Sequence, residues 1–138
     1  MGESANGSDA ITAAGFHRAP GVADWRVTGT GPQAVFTATS LSHAAGLVVP
    51  IVAAAERFGL RPDIDVRPEG VVVRIPYAGP EGIPAAAVEF AAAVSEAAAD
   101  QRLTPDPSRA QSIGIYVAQH SGADVRPFFT AALGYEDV

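Results

Sequence analysis

Proton transfer near neutral pH calls on histidine, or on a carboxylate whose pKa burial has raised. The chain has three histidines, His17, His43 and His120. No two of them stand at metal-ligand spacing, no HExxH segment occurs, and there is no cysteine to supply a thiolate. The residues therefore predict no metal site and no cofactor. Glu56 is a carboxylate that could act as a base on condition that it is buried; at a solvated helix end it would only carry charge. Arg61 stays protonated at any relevant pH, so it can hold an anion but is a poor general base. Pro62 confines Arg61 to extended backbone, which aims the side chain instead of leaving it to follow the helix. There it could form a paired hydrogen-bond fork with a carboxylate or phosphate. A cation at a helix C-terminus is also favoured by the helix dipole alone. Gly79-Pro80-Glu81-Gly82 is no phosphate cradle, because Pro80 removes an N–H between the two glycines.

The elements that must position these groups centre on residues 54–82. Ile64 and Val66 alternate with Asp63, Asp65 and Arg67, and Val71, Val73 and Ile75 alternate with Val72 and Arg74. Both have the period of half-buried strands. Arg67-Pro68-Glu69-Gly70 between them suits a type I turn. Upstream, Asp24–Thr28 and Gln33–Thr39 read as a second hairpin with a longer loop over Gly29–Pro32. Trp25 is expected as its packed aromatic anchor. A helix is expected from Ser40 or Ser42 to about Phe58, kinked by Pro50 and stopped by Gly59, with His43 exposed in its first turn. Another is expected over Ala85–Arg102, with Pro84 in its first turn and a narrow face of Val88, Ala91, Ala92, Val94, Ser95 and Ala98. Ala10–Phe16 predicts a short helix capped by Ser8 or Asp9. Residues 1–9 are expected as a disordered tail and 104–111 as a linker. Ser112–Gln119, with Ile113, Ile115 and Val117 alternating, predicts a strand, and Asp124–Leu133 a helix stopped by Gly134.

The composition narrows the function classes. The chain has 138 residues, enough for one domain with a real core. It is 48% hydrophobic, but alanine supplies much of that, so large core side chains are few. A formal net charge of −6 argues against a nucleic-acid surface, which needs clustered Lys and Arg. The lysine-free, Ala/Arg/Pro/Gly-rich usage is that of a high-GC bacterial genome. No charged-then-apolar leader opens the chain and no apolar run reaches spanning length, so a cytoplasmic protein without membrane contact is expected.

The order of parts resembles the pterin-4a-carbinolamine dehydratases. Members carry a helix ending in Ala-Glu, then His-His-Pro-Asp, a turn, a Val-rich strand, Thr-His-Asp, and a Gly-Gly-Leu-Thr lead-in to a helix. Here Ala55-Glu56, Pro62-Asp63, Val71, Val73, Gly82 and Ile83 stand at the matching positions, as do Trp25, Phe36 and Gly46. The resemblance covers residues 20–99 and needs no gap between Phe36 and Pro84. It departs at the chemistry: the paired histidines fall on Leu60 and Arg61, the third histidine on Ala78, and the aspartate after it on Gly79. The tail resembles the first strand and helix of a vicinal-oxygen-chelate (glyoxalase-like) domain. Its metal-binding histidine position is Ser112 and its aspartate position is Gln119. Only the opening βα of that domain is present within the chain, whose natural form could continue past Val138.

The resemblance implies an α+β fold: an antiparallel four-stranded sheet with two long helices and a short one on one face, spanning residues 10–103, followed by a β-α extension over 112–138. It implies a pocket at the old catalytic position, lined by Leu60, Arg61, Tyr77, Ala78 and Glu81, able to take a small ring-shaped or anionic ligand. It implies self-association, since the family forms dimers and tetramers. The function it implies is a degenerate dehydratase-like module for ligand binding or assembly. The alternatives are a repurposed lyase, isomerase or cyclase of a biosynthetic pathway, using Glu56 or Tyr77, and a surviving 4a-hydroxytetrahydrobiopterin dehydratase.

Overall fold

The computed structural model describes residues 10–77, 82–115, 122 and 124–134. In chain order the elements are β1 (Ala10–Ile11), α1 (Ala13–Arg18), β2 (Trp25–Thr28), β3 (Gly31–Thr37), α2 (Leu41–Ala45), α3 (Val48–Phe58), β4 (Asp63–Arg67), β5 (Gly70–Arg74), β6 (Ile83–Pro84), α4 (Ala86–Asp100), β7 (Thr104–Pro105) and α5 (Arg126–Leu133). The fold is α+β. Four antiparallel strands run in the order β2-β3-β5-β4, with helices packed against them and a short C-terminal helix besides.

The period-2 pattern sets the two faces of the sheet. Ile64, Val73, Ala34 and Trp25 lie in one register row, and Val66, Val71 and Phe36 in the next. These side chains join Phe16, Leu47, Ile51, Phe90, Ala91 and Val94 in one core cluster. The opposite face carries the rows Asp63–Arg74–Gln33 and Asp65–Val72–Val35. Trp25 is fully buried, and its indole N–H lies 3.1 Å from both Ala91 O and Ser95 Oγ, so the expected anchor also ties the sheet to α4. Phe90 meets Trp25 edge-on at 6.1 Å between ring centroids.

Several expectations are corrected. The long helix breaks at Gly46-Leu47, between α2 and α3, and not at Pro50. The break puts Pro50 in the first turn of α3, where an N–H would have no partner inside the helix, so the proline costs little there. The first helix is α1, capped by the Thr12 hydroxyl on Gly15 N–H at 3.0 Å; the expected caps Ser8 and Asp9 lie outside the described residues. Pro84 pairs with Ala10 in a β1–β6 bridge before α4 begins. The first hairpin closes through a two-residue loop, Gly29-Thr30, because the Thr28 hydroxyl donates to Gly31 O at 3.0 Å. The stretch expected as a linker is tied to the sheet: β7 pairs with β3 beside β2, and Asp106 N–H donates to Val35 O at 2.8 Å. Ser112–Ile115 of the expected strand makes no ladder, with Ile113 86% and Ile115 89% exposed, and residues 116–119 lie outside the described residues. By length and composition Leu41–Phe58, 18 residues, is apolar enough to cross a membrane, against the expectation that no run is. Its Ala44, Leu47, Ile51 and Ala54 are buried in the core.

The expected stops hold. Gly59 and Gly134 end α3 and α5 in the left-handed conformation, at φ 67° and 68°. The N-terminal end of α5 is set by Asp124, whose carboxylate accepts from Arg126 N–H at 3.1 Å and from its guanidinium. Those side-chain and backbone bonds hold the Asp124 carboxyl down to about 2.

Two backbone positions give opposite expectations. Gly31 sits at φ 124°, and a Cβ there would stand 2.0 Å from Ile75 O, inside the sheet. Gly31→Ala should cost about 3 kcal/mol or more, from a forbidden conformation plus a backbone clash. Arg102 is left-handed at φ 61° without being glycine, at the exposed end of α4. Arg102→Gly should gain about 1 kcal/mol. Urea denaturation of the two variants beside the parent checks both signs.

Candidate functional site

The end of α3 and the end of β5 meet at one cleft. The last turn of α3 is closed by Gly59 N–H and Leu60 N–H, both donating to Ala55 O, the latter at 3.0 Å. Leu60 follows half-buried against the core, and Arg61, held by Pro62, leaves the helix exposed. On the other side, Ile75 N–H donates to Pro32 O at 2.8 Å, extending the β3–β5 pairing past Arg74. Tyr77 then lies over the first hairpin, its hydroxyl donating to Thr28 O at 3.2 Å.

Between these segments is a cleft of about 500 Å³, lined chiefly by Phe58, Leu60, Arg61, Ile75, Tyr77 and Pro84. Ile75 is buried, while Arg61 and Tyr77 are exposed. The volume falls within the range of small-molecule sites, about 300–1,000 Å³. Of the residues expected at the site, Leu60, Arg61 and Tyr77 are brought together here. Ala78 and Glu81 lie outside the described residues. Glu56 is exposed on α3 and is not part of the cleft lining, so it is not the buried base that general-base catalysis would need. Phe58, Ile75 and Pro84 were not singled out as site residues. The signal for the first two was already present in the apolar periodicity of α3 and β5, which also governs what faces the cleft at their ends.

The histidines have structural work elsewhere. His43 is half-buried, against the expectation of exposure. Its Nδ1 accepts from Thr39 N–H at 3.2 Å, which puts the ring proton on Nε2, and Nε2 donates to Gln101 O at 2.7 Å. The ring thus clips the start of α2 to the end of α4. His17 Nε2 accepts from Val27 N–H at 3.3 Å, joining α1 to β2. His120 lies outside the described residues. Among the described residues no group of three His, Cys, Asp or Glu side chains could hold a metal ion.

Chemically, the cleft offers an apolar floor, a guanidinium and a phenol. Among the described residues Arg61 makes no ion pair. The lining can pair with an acidic group, and among the described residues it holds no imidazole or carboxylate to take up a proton. Compared with protein-family models and with curated proteins, the chain finds no match in either.

Tyr77 can be tested as a strut. If its hydroxyl holds the first hairpin, Tyr77→Phe should lower stability by about 0.5–1 kcal/mol. Urea denaturation gives the midpoint, and no change in it would mean that Thr28 O gains nothing from the phenol.

Proposed function

We propose that this chain is a non-catalytic module of the pterin-carbinolamine-dehydratase type that binds a small anionic ligand in the cleft at the end of α3. The observation that carries the reading is the convergence of Leu60, Arg61 and Tyr77 on one cleft of about 500 Å³. Two of these, Leu60 and Arg61, fall on the positions of the family's paired histidines. Leucine cannot transfer a proton, and arginine stays charged, so the exchange turns a proton-transfer pair into a wall and an anion clamp. The resemblance further supports the family's own arrangement, with the helices on one face of the antiparallel sheet. A surviving dehydratase, or a new enzyme relying on Glu56, finds less support because the exposed Glu56 carboxylate lies off the cleft lining.

Self-association is a second part of the proposal, and a separate observation favours it. The outer side of α2 and α3 presents Leu41, Val49 and Val52, exposed by 53%, 75% and 44%. A helix surface this apolar gains by burial against a second copy, at about 25 cal/mol per Å² removed from water. A twofold dimer is the commonest closed form.

Two experiments test these readings. In a thermal-shift screen of small carboxylates and reduced pterins, at least one anion should raise the melting temperature of the parent. The same anion should lose at least about tenfold in affinity, about 1.4 kcal/mol, on Arg61→Leu. As a mere helix-end cation, Arg61 would instead cost about 0.3–1 kcal/mol of stability on removal and leave binding unchanged. For assembly, light scattering should give a dimer or larger species for the parent, and Val49→Asp should shift it towards monomer. A monomer mass for the parent across a wide concentration range would remove the assembly claim.

A further inference from the structure

The face of the sheet turned away from the core carries a second cleft. Gln33 is the one buried polar residue among those described, at 9% exposure, and it sits on central strand β3. A carboxamide has two donors and an acceptor, and at such depth each normally has a partner. Among the described residues neither its nitrogen nor its oxygen has a hydrogen-bond partner, and no side-chain polar atom is sealed from the surface without one. The carboxamide of Gln33 therefore reaches the surface through an opening beside it. That opening is a cleft of about 380 Å³, lined by Gln33, Asp63, Asp65, Val72, Arg74 and Gln111.

The sheet register builds this site. Gln33, Arg74 and Asp63 form one row across three strands, and Val72 and Asp65 stand in the adjoining row. Gln111 closes the rim, because the Asp106 N–H bond to Val35 O starts the following segment along β3. The charges on the walls are already matched. Asp63 is bonded by the Arg74 guanidinium, and Asp65 by Arg67 at 2.9 Å. With each carboxylate paired to a guanidinium, the walls carry no unneutralised charge among the described residues to draw an anion or a cation. What remains unspent is the paired donor and acceptor of Gln33, the carboxamide of Gln111, and the apolar side of Val72.

We propose that this outer-face cleft binds a neutral planar heterocycle that presents an N–H donor beside an acceptor on one edge, as nucleobases do. Such an edge matches a carboxamide in a two-bond pair, while the flat ring rests on Val72. The volume lies near the lower end of small-molecule sites, about 300–1,000 Å³, which suits a single base or nucleoside and not a polymer. The site is independent of the Arg61 cleft, since the two share no lining residue.

The test is a titration of the ¹⁵N-labelled full chain with inosine, adenosine and cytidine, with benzyl alcohol as a ring that lacks the edge. The side-chain carboxamide resonances of Gln33 and Gln111 should shift saturably with at least one nucleoside and not with benzyl alcohol. Gln33→Leu should weaken that binding at least about tenfold. Should Gln33→Leu fail to fold, Gln111→Leu, at an exposed position, should weaken the same binding severalfold. Three nucleosides without effect on these resonances would overturn the proposal. Equal shifts from benzyl alcohol, or unchanged affinity in the variant that folds, would overturn it as well.

Discussion

Both edges of β3 are hydrogen-bonded, and the rest of the structure is arranged around that saturation. One edge pairs with β5 along five residues, from Gln33 to Thr37. The other is divided, with β2 covering its first half and β7 its second. The strand is also covered on both faces, so its pattern shows no exposed position. The same crowding dictates glycine at Gly31 and Gly70, where a Cβ would stand 2.0 Å from Ile75 O and 2.2 Å from Phe36 O. The strand ends that emerge from this packing then fix where Tyr77 and Arg61 can be.

The helices are bound to that sheet by a few large side chains among many small ones. Trp25, Phe36, Phe16 and Phe90 supply the bulk of the core, and alanines on α4 let it approach closely. An alanine-rich core offers little area per residue, so each specific tie counts for more. The indole N–H of Trp25 on Ala91 O, and the two-sided bonding of His43, are such ties. They also explain why histidines that could have been catalytic candidates are spent on architecture.

Two of the clefts among the described residues differ in character. One lies where α3 hands over to β4 and is apolar with a single cation at its mouth. The other lies on the outer sheet face and mixes the apolar Ile64 and Val72 with paired charges and the carboxamides of Gln33 and Gln111. Each is built on rigid elements, the first on a helix stop and a strand end, the second on three adjacent strands. Preorganised sites of that kind lose little on binding, which is the physical basis for assigning ligands to them.

Local pattern was enough for much of this. The two hairpins, the Gly59 and Gly134 stops, the extent of α4 and the role of Trp25 all follow from periodicity and turn chemistry within a few residues. The expectation that Leu60, Arg61 and Tyr77 share a cleft came from the family resemblance and not from local pattern, since they stand on separate elements. What the sequence did not disclose depends on partners far along the chain. The β1–β6 bridge and the docking of β7 on β3 join segments about 70 residues apart, through backbone bonds that carry no side-chain signature. Pro50 looked like the kink because a proline is a breaker by itself, whereas the helix already ended at Gly46-Leu47 and left the proline in a first turn. Gln33 reads as an ordinary polar residue beside Pro32. Only the closing of β3 on both edges, with Asp106 and Gln111 drawn along it, turns that side chain into a buried one facing a cleft. Sequence alone thus determined the two central hairpins, the body of α4 and the Gly59 and Gly134 stops, since those rest on short-range sterics and hydrogen bonds. The tertiary structure decided which surfaces became enclosed, since enclosure is a property of several strands at once.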